Sequence, residues 1–424
     1  MLKSSLFAAF AVVVFVAGAV QAAPASSPLD RARAVLKDAP VIDGHNDLPW
    51  TIRVKNAGKT SQVDMRDEKA ATAAGYDTDF PRAKRGGLGG QFWSLWVPGD
   101  LKGAEATVAV EKQMDLVRRM AARYPDQMAL AFTADDVVRV QKSGRLAALM
   151  GVEGGEGIDN SLEVLRALYT LGARYMTLTH FGDTDWADSS NGEPVHNGLT
   201  PFGKAVVGEM NRVGMLVDLS HVAPKTMSDA LDVSVAPVIF SHSSARAIAD
   251  HPRNVPDALL KRVAANGGVV MVNFVPFYVS EKVRLWWAEE QAATAREKAL
   301  HTGDPVGAKA GMEAWRKANP RPPVNFRDVA DNIEHVRDVA GIDHVGIGAD
   351  YGDTDGDVID GENGVDSYVN LIAELARRGW SDTDLKKLTN QNILRVMRTV
   401  EQISARLQIS RPASEDLIAD LDRK

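Results

Sequence analysis

A His-x-Asp pair, His45 and Asp47, follows the short predicted strand Pro40–Asp43 near the amino end of the chain. Side chains two positions apart in an extended segment project to the same side, so His45 and Asp47 point the same way. An imidazole and a carboxylate placed together suit a divalent transition metal such as zinc. One isolated pair is more often a strand end followed by a turn-capping Asp, so a metal site requires further ligands elsewhere.

Further ligand-type side chains follow other apolar segments of the chain. Each of them stands one or two positions after a predicted strand: Glu153, His180, His221, His242 and Asp350. Taken singly, such residues have ordinary explanations as helix caps, turn residues or hydrogen-bonded buried imidazoles. The chain has nine His, and scattered imidazoles would not be expected to place four of them, His45 included, at strand ends. Their joint placement therefore favours one shared site.

Eight apolar segments rich in β-branched residues supply these strand ends, and helical spacing separates most of them. The segments are Pro40–Asp43, Gln91–Val97, Leu146–Val152, Tyr175–Thr179, Met215–Leu219, Pro237–Phe240, Val269–Phe274 and His344–Ala349. Continuous apolar strands alternating with helices indicate a parallel sheet covered on both faces. Eight such strands predict an α/β protein with a (β/α)8 barrel, in which the carboxyl ends of the strands meet at one pocket. An open, doubly wound sheet is the alternative.

Segments with helical spacing lie between the strands, and two regions exceed the alternation. The spacing predicts helices over Ala104–Ala122, Ser161–Leu171, Thr200–Val213 and Asp328–Val339. The long regions Thr51–Gly90 and Ser280–Val324 should fall on the carboxyl-end face of a barrel, where loops build the site. The second of them is polar and predicted to be helical, and Ser381–Gln408 is predicted to form capping helices.

The number of candidate ligands indicates two metal ions. Three imidazoles and two carboxylates are too many for one tetrahedral zinc with an open position. They suit two zinc ions about 3.5 Å apart with a bridging carboxylate. Glu153 is the natural bridge, because it lies between the other ligands in strand order. The chain has no Cys, so any metal site must use His, Asp and Glu.

Composition and the amino-terminal segment bound the remaining function classes. With 45% hydrophobic and 25% charged residues, a net charge of -7 and no basic run, the chain offers no electrostatic footprint for nucleic acid. Lys3, the apolar run Leu6–Val20 and the small residues before Ala23 are typical of a cleaved signal peptide. The prediction is a signal peptide at residues 1–22 and one barrel domain at residues 23–424, exported to the periplasm or secreted. An uncleaved membrane anchor is the alternative, although the run is short for a span.

Several longer motifs resemble those of the renal (membrane) dipeptidase family of the amidohydrolase superfamily. The resemblance covers about residues 38–398, nearly the whole of the predicted mature chain. The matching segments are Asp43–Asp47, Gly90–Ser94, Gly151–Gly155, Arg174–His180, Val217–His221, Phe240–Ser244, Arg253–Asp257 and Val345–Asp350.

The resemblance implies a binuclear zinc (β/α)8 barrel that hydrolyses dipeptides. It implies that His45 and Asp47 hold one zinc ion, that His221 and His242 hold the other, and that Glu153 bridges them. The chemistry agrees with the residues, since an unactivated amide needs a strong nucleophile at neutral pH. A hydroxide shared by two zinc ions supplies one, because the metals lower the pKa of the water.

The resemblance also assigns three residues to the substrate. His180 would contact the scissile carbonyl oxygen, Arg253 would bind the C-terminal carboxylate, and Asp350 would move protons. A guanidinium pairs with a carboxylate through two hydrogen bonds, so Arg253, from a loop eleven positions beyond His242, could reach over the pocket mouth and measure a free dipeptide. A surface ion pair is the alternative role for this Arg.

Two other functions stay open at the level of the sequence. The barrel also supports other metal-dependent hydrolyses, such as those of a lactonase, a deaminase or a phosphotriesterase. An exported binding protein that keeps the pocket without turnover is the second alternative. The expected partners are dipeptide substrates, with no nucleic acid and no membrane anchor after cleavage, and a homodimer stays open as the assembly.

Overall fold

Parallel strands close into a barrel in the computed structural model, which describes residues 26–99, 101–352 and 358–422. The predicted signal peptide lies outside the described residues. The strands are β1 (Val41–Asn46), β2 (Leu88–Trp96), β3 (Met128–Leu130), β4 (Leu146–Glu153), β5 (Ala173–Thr177), β6 (Leu216–Asp218), β7 (Ile239–Phe240), β8 (Val269–Val272) and β9 (Val345–Ile347).

The strand order shows that the sheet is closed. It runs β2-β1-β9-β8-β7-β6-β5-β4-β3, and β2 also pairs with β4. All eight predicted strands are confirmed, and the β2–β4 pairing excludes the open, doubly wound sheet. The short strand β3 was not predicted, because three residues carry no measurable periodicity. It pairs with β4 at Met128↔Leu146. The same edge of β4 pairs with β5 from Met150 onwards.

Helices cover the outside of the barrel and confirm the predicted helical segments. They are α1 (Pro28–Asp38), α2 (Leu48–Asn56), α3 (Glu68–Ala73), α4 (Phe80–Gly86), α5 (Ala104–Arg123), α6 (Ala134–Lys142), α7 (Leu162–Leu171), α8 (Pro201–Val213), α9 (Pro224–Val233), α10 (Asp257–Asn266), α11 (Pro276–Val279), α12 (Glu281–Leu300), α13 (Pro305–Ala318), α14 (Phe326–Ala340), α15 (Tyr368–Arg377), α16 (Asp382–Lys386), α17 (Asn392–Ser410) and α18 (Ile418–Leu421). Short 3-10 turns at Gly155–Ile158 and Ile342–His344 and a π turn at Lys387–Gln391 complete the fold.

Local sequence signals set the helix ends. In α8, the side chain of Thr200 accepts a hydrogen bond from the Gly203 N–H, Pro201 occupies the first turn, and Gly214 ends the helix in the left-handed region with φ 94°. These are the usual start and stop signals of a helix. The predicted bounds Thr200–Val213 therefore differ from the observed ones by a single capping residue.

The carboxyl-terminal helices close the amino ends of the strands, as predicted. Ile393, Val396 and Val400 of α17 belong to the same buried cluster as the inward-facing strand residues Ile42 and Leu149. The side chains of the preceding turn add polar contacts, since Asn390 donates to the Pro40 carbonyl oxygen at 2.8 Å. The opposite, carboxyl ends of the strands are therefore left to build a site.

The two long regions are mostly helical. Residues 51–90 form most of α2, all of α3 and α4, and the start of β2, whereas α12 and α13 form a helical hairpin in the region 280–324. The hairpin is closed by the Trp286 indole, which donates to the Asn319 carbonyl oxygen at 2.8 Å. Among the residues that the structure describes, none of the helices has the length and apolarity of a membrane span.

Candidate metal centre

Imidazoles and carboxylates from four strand ends converge on one buried point. His45 lies in β1 and Asp47 directly follows that strand, Glu153 is the last residue of β4, and His221 and His242 follow β6 and β7. Each of these residues is at most 5% exposed. Burying several ionisable groups together is costly unless they are paired or coordinate a metal, so this cluster needs a compensating charge.

Glu153 is the centre of the cluster, and its two oxygens face different partners. Oε2 lies 3.3 Å from the His45 Nε2, whereas Oε1 lies 3.1 Å from the His221 Nε2 and 3.3 Å from the His242 Nε2. Asp47 Oδ2 lies 3.3 Å from the same nitrogen of His45. The carboxylate of Glu153 therefore divides the remaining ligand-type atoms into two groups, as a bridging ligand would.

The donor atoms fit divalent metal ions. The buried His45 Nε2 has no hydrogen-bond partner among the described residues, and it faces two carboxylates. The Nε2 atoms of His221 and His242 lie only 2.9 Å apart. Three triplets of donor atoms each lie within 4.8 Å of one another: His45, Glu153 and His242; Glu153, His180 and His221; and His45, Asp47 and Asp350. An imidazole and carboxylate set of this kind suits zinc and similar transition metals.

Hydrogen bonds behind the imidazoles orient them toward the cluster. The Ser241 hydroxyl donates to Asp218, and the His242 Nδ1 lies 2.7 Å from the same hydroxyl oxygen. Because a hydroxyl has a single hydrogen, Ser241 accepts from the Nδ1–H of His242, which leaves a lone pair on Nε2. Similarly, the His45 Nδ1 lies 2.9 Å from the Tyr175 hydroxyl. Such partners fix the ring orientation and tautomer of metal ligands.

His180 differs from the other imidazoles in its protonation. The Trp96 indole donates to its Nδ1 at 2.7 Å, and an indole N–H can only donate. Nδ1 is therefore an acceptor, and the neutral ring carries its hydrogen on Nε2, which lies 3.6 Å from Glu153 Oε1. Burial lowers the pKa of His180 to about 4, so the ring is neutral at pH 7. His180 consequently presents a hydrogen-bond donor to the site and has no free lone pair for a metal.

Asp350 closes the cluster on the side of β9. Its Oδ1 lies 3.8 Å from the His45 Nε2, and its side chain is 18% exposed, more than that of any other residue of the cluster. Burial, reinforced by the charges of Asp47 and Glu153, raises the pKa of Asp350 to about 7. Asp350 and His221 both have left-handed backbone, with φ 69° and 68°. This conformation is uncommon for residues other than Gly and is frequent at functional sites.

The comparisons with known proteins agree with this geometry. The sequence profile of the membrane dipeptidase family, also called peptidase family M19, matches residues 29–411. The chain belongs to this family. It is 38% identical over 393 residues to dipeptidase verJ of Clonostachys rogersoniana, covering 90% of this chain and 89% of verJ. It is also 38% identical to dipeptidase tcpJ of Claviceps purpurea (strain 20.1), covering 89% and 81% of the two chains.

Solved structures of known proteins share the fold of this chain. The probable dipeptidase PvdM from Pseudomonas aeruginosa has a TM-score of 0.73 at 26% identity, over 89% of this chain and 99% of PvdM. A Rhodobacter sphaeroides metallopeptidase, liganded with a phosphinate mimic of the dipeptide L-Ala-D-Ala, has a TM-score of 0.70 at 22% identity. That match covers 85% of this chain and 99% of the other, and supports the fold.

Arg253 lies in the interior of the protein, whereas its loop position predicted a place over the pocket mouth. It is fully buried at 0% exposure, which excludes a surface ion pair. Its guanidinium donates to the Ser243 hydroxyl at 2.5 Å and to the His242 carbonyl oxygen at 2.8 Å. Its Nε has no hydrogen-bond partner among the described residues, and its Cζ lies 5.8 Å from the centre of the Tyr278 ring rather than in an ion pair with a described carboxylate. A buried cation without a counter-ion is strongly unfavourable, so the site fits a ligand anion.

Gly44 and Gly348 allow the backbone segments that carry the candidate ligands to approach the Ser241 carbonyl oxygen closely. A Cβ at Gly44 would lie 2.1 Å from the Ser241 carbonyl oxygen, and one at Gly348 would lie 1.8 Å from the same atom. Real Cβ atoms do not approach this closely, so only glycine fits beside this carbonyl. The close approach brings the ends of β1, β7 and β9 together, immediately next to His45, His242 and Asp350.

The structure also shows supporting residues to which sequence reasoning gave no role. The buried Asp43 accepts hydrogen bonds from the N–H groups of His45 and Ala349, both at 2.8 Å. Asp218, Tyr175, Ser241 and Trp96 have comparable supporting roles around the imidazoles. Asp43 and Asp218 stand two and three positions before a predicted ligand within the recognised motifs. A carboxylate inside an otherwise apolar strand was therefore the available signal.

Proposed function

We propose that this protein is a zinc-dependent dipeptidase that hydrolyses the peptide bond of free dipeptides by a metal-bridged hydroxide. The observation that carries the proposal is the division of ligand atoms by Glu153, with His45 on one oxygen and the His221–His242 pair on the other. Family membership supports dipeptide hydrolysis. Zinc, its number and the nucleophile are inferred from the donor set.

The ligand assignment follows from the same division. His45 and Asp47 would hold one zinc ion, His221 and His242 the other, and Glu153 would contribute one oxygen to each. When bound, two zinc ions supply a hydroxide at neutral pH and polarise the scissile carbonyl. His180 is left out of the ligand set, because its hydrogen stands on the nitrogen that faces the cluster.

His180 and Asp350 would act directly on the reacting groups. The Nε2–H of His180 is placed to donate a hydrogen bond to the oxyanion that develops on the scissile carbonyl oxygen. Asp350 would accept the proton of the attacking water and deliver it to the leaving amine. Its carboxylate lies beside His45 and is the most exposed of the cluster, so it can reach both water and substrate.

Arg253 would recognise the C-terminal carboxylate of the substrate. Its guanidinium is already held on one side by Ser243 and the His242 carbonyl oxygen, which fixes its orientation next to the ligands. A pre-oriented and unpaired guanidinium binds a carboxylate at a small entropic cost. Free dipeptides would therefore be preferred over peptides whose C-terminus is blocked.

The decisive experiment combines a substrate screen with metal analysis of the purified protein. Amino-acid release from a dipeptide library should be abolished by chelation and restored by zinc. The same preparation should be tested on a lactone, a phosphotriester and an aminopyrimidine nucleoside. The proposal fails if the zinc-loaded protein releases no amino acid from any dipeptide, and turnover of one of the other substrates would assign a different hydrolysis to the site.

We also propose that the protein is exported and begins near Ala23 in its mature form. The proposal rests on three features of the amino-terminal segment that are typical of a cleaved signal peptide. They are Lys3, the apolar run Leu6–Val20 and the small residues that follow it. Amino-terminal sequencing of protein recovered from the producing cell tests the proposal. Recovery of an intact Met1 in a membrane fraction would contradict cleavage.

A further inference from the structure

We propose that Trp96 is a positioning residue that fixes the tautomer of His180. Its indole N–H keeps Nδ1 of His180 unprotonated, and thereby keeps the hydrogen on Nε2, where the substrate binds. The effect on catalysis rests on the dipeptidase function proposed above, whereas the effect on the tautomer does not.

The contact follows from the register of three neighbouring strands. Trp96 ends β2 and pairs with Glu153 of β4, and Glu153 in turn pairs with Thr177 of β5. His180 comes three residues after Thr177. The indole of Trp96 therefore spans the end of β4 and reaches the His180 Nδ1 at 2.7 Å, so Glu153 lies between the strands that supply the two rings.

The identity of the donor decides the tautomer. A hydroxyl or amide side chain could either donate to Nδ1 or accept from it, but an indole N–H has no acceptor lone pair. The alternative tautomer, with its hydrogen on Nδ1, would place two N–H groups against each other. It would also turn an Nε2 lone pair toward Glu153 Oε1, which lies 3.6 Å away. That tautomer would lose the oxyanion donor and would offer the metal centre an additional ligand.

Surrounding rings hold the indole and the imidazole in place. Trp50 packs edge-to-face against Trp96 with ring centroids 4.1 Å apart, and Phe181 packs against His180 with centroids 4.3 Å apart. The backbone carbonyl of Trp96 accepts a hydrogen bond from the Gln113 side chain. These contacts restrict the motion of the Trp96 indole and of the His180 imidazole. The hydrogen bond between the two rings is therefore already formed before a substrate binds.

The direct test is the nitrogen NMR spectrum of ¹⁵N-histidine-labelled, zinc-loaded protein. A His180→Gln variant identifies the signals of His180 by their loss. The wild-type protein should show His180 with an unprotonated Nδ1 and a protonated Nε2. Trp96→Phe removes the N–H while keeping an aromatic ring, and should give a mixture of tautomers or the Nδ1–H form. Trp50→Phe is the matched control, and should leave the tautomer of His180 unchanged.

Kinetics give a second readout. Trp96→Phe should lower kcat at least about tenfold, because part of the population lacks the oxyanion donor, with little change in KM or zinc content. In a His180→Gln background the same change should have almost no further effect. Retention of the Nε2–H tautomer in Trp96→Phe, or an equal loss of kcat in both backgrounds, would overturn the proposal. If Trp96→Phe changes the tautomer but the wild-type protein cleaves no dipeptide, the positioning role stands and the proposed function fails.

Discussion

The carboxylate of Asp43 on the first strand accepts the backbone N–H of Ala349, next to Asp350, at 2.8 Å across 306 positions of sequence. The same carboxylate accepts from the His45 N–H at 2.8 Å, from Gln91 at 3.0 Å and from the Tyr368 hydroxyl at 2.8 Å. One buried side chain therefore fixes both a candidate metal ligand and the backbone of the candidate proton carrier. Asp43 therefore links the candidate ligand His45 to the backbone beside Asp350.

Replacing Asp43 by Asn should destabilise the protein and disturb the site together. The amide retains one acceptor oxygen, and its NH2 group would face donors that the carboxylate now satisfies. Each buried donor left unpaired costs about 1–3 kcal/mol, so we expect a loss of about 3 kcal/mol in the free energy of unfolding. Urea denaturation of the metal-free protein measures this loss without reference to activity.

A matched surface change separates this effect from a general cost of losing a carboxylate. Asp115 lies on α5 with its side chain 65% exposed and forms an ion pair with Arg119. Asp115→Asn should change the free energy of unfolding by less than about 1 kcal/mol, because exposed ion pairs contribute little. Equal effects of the two substitutions would contradict the role of Asp43.

Much of the fold was predictable, because buried parallel strands have a strong local signal. Segments such as Leu146–Val152 and Val269–Phe274 are apolar and bounded by turn residues, the second of them is rich in Val, and the number of such segments predicted the barrel. The convergence of His45, Glu153 and His221 followed from the strand ends alone, since the carboxyl ends of barrel strands meet at one face. Sequence therefore predicted which side chains come together.

The supporting contacts were not predictable, because they depend on register between distant segments. The Trp96–His180 bond joins residues 84 positions apart, and a one-residue shift of β2 would turn the indole to the other face. Arg253 gave a misleading local signal, since its loop suggested a position over the pocket mouth. It is instead buried, because its guanidinium bonds back to the His242 carbonyl oxygen and to Ser243.

Glu153→Gln should remove metal from both halves of the centre. The amide NH2 of the glutamine cannot coordinate a cation, so one of the two metal positions would lose the oxygen that Glu153 supplies. The other position would keep an oxygen, but that oxygen would no longer carry the negative charge of a carboxylate. Elemental analysis after dialysis should find substantially less than the approximately two zinc ions per chain expected of the wild type. A variant that keeps one metal at full strength would show that Glu153 serves a single ion.

Asp350→Asn should retain both metals and still bind substrate, but it should turn over slowly. Asp350 is not a metal ligand in the proposed assignment, so its replacement should not remove zinc. The replacement does remove the carboxylate that would transfer protons. We expect kcat to fall at least about 100-fold, the low end for a general acid–base residue. Zinc content and the KM of the variant are the controls. Near-normal kcat with both metals present would assign the proton transfer to another group.

Glu362 should make stability fall as the pH rises. Burial and the charge of Asp77 raise the pKa of Glu362 to about 8 in the folded chain, from 4.5. The folded state therefore binds more protons between these values, so this contribution to stability is fully present below pH 4.5 and is lost by about pH 8. Glu362→Gln should raise the melting temperature relative to the wild type more at pH 8.5 than at pH 5.

An exposed carboxylate provides the control for this pH effect. Glu313 lies on α13 with its side chain 64% exposed, and Glu313→Gln should shift the melting temperature by similar small amounts at both pH values. If Glu362→Gln behaves like Glu313→Gln, the carboxyl of Glu362 ionises normally in the folded protein.

Arg253→Met should weaken the hydrolysis of free dipeptides while leaving the metal centre loaded. Methionine fills a similar volume but cannot pair with a carboxylate, and charge-assisted hydrogen bonds contribute about 2–3 kcal/mol. We expect kcat/KM for free dipeptides to fall by the factor that a loss of about 2–3 kcal/mol in transition-state binding produces. C-terminally amidated dipeptides should already be poor substrates of the wild-type protein, because the amide leaves a buried guanidinium without its anion. The variant should therefore narrow the gap between the two kinds of substrate.

Two controls isolate the carboxylate contact from the structural bonds of Arg253. Arg253→Lys keeps the charge but cannot form the paired hydrogen bonds of a guanidinium, so it should recover only part of the lost kcat/KM. Zinc content should be unchanged in both variants, because the bond to the His242 carbonyl oxygen lies behind the ligand rather than at its Nε2. If the wild-type protein cleaves free and amidated dipeptides equally well, Arg253 does not bind the substrate carboxylate. Its unpaired Nε would then need a different anionic partner in the same buried place.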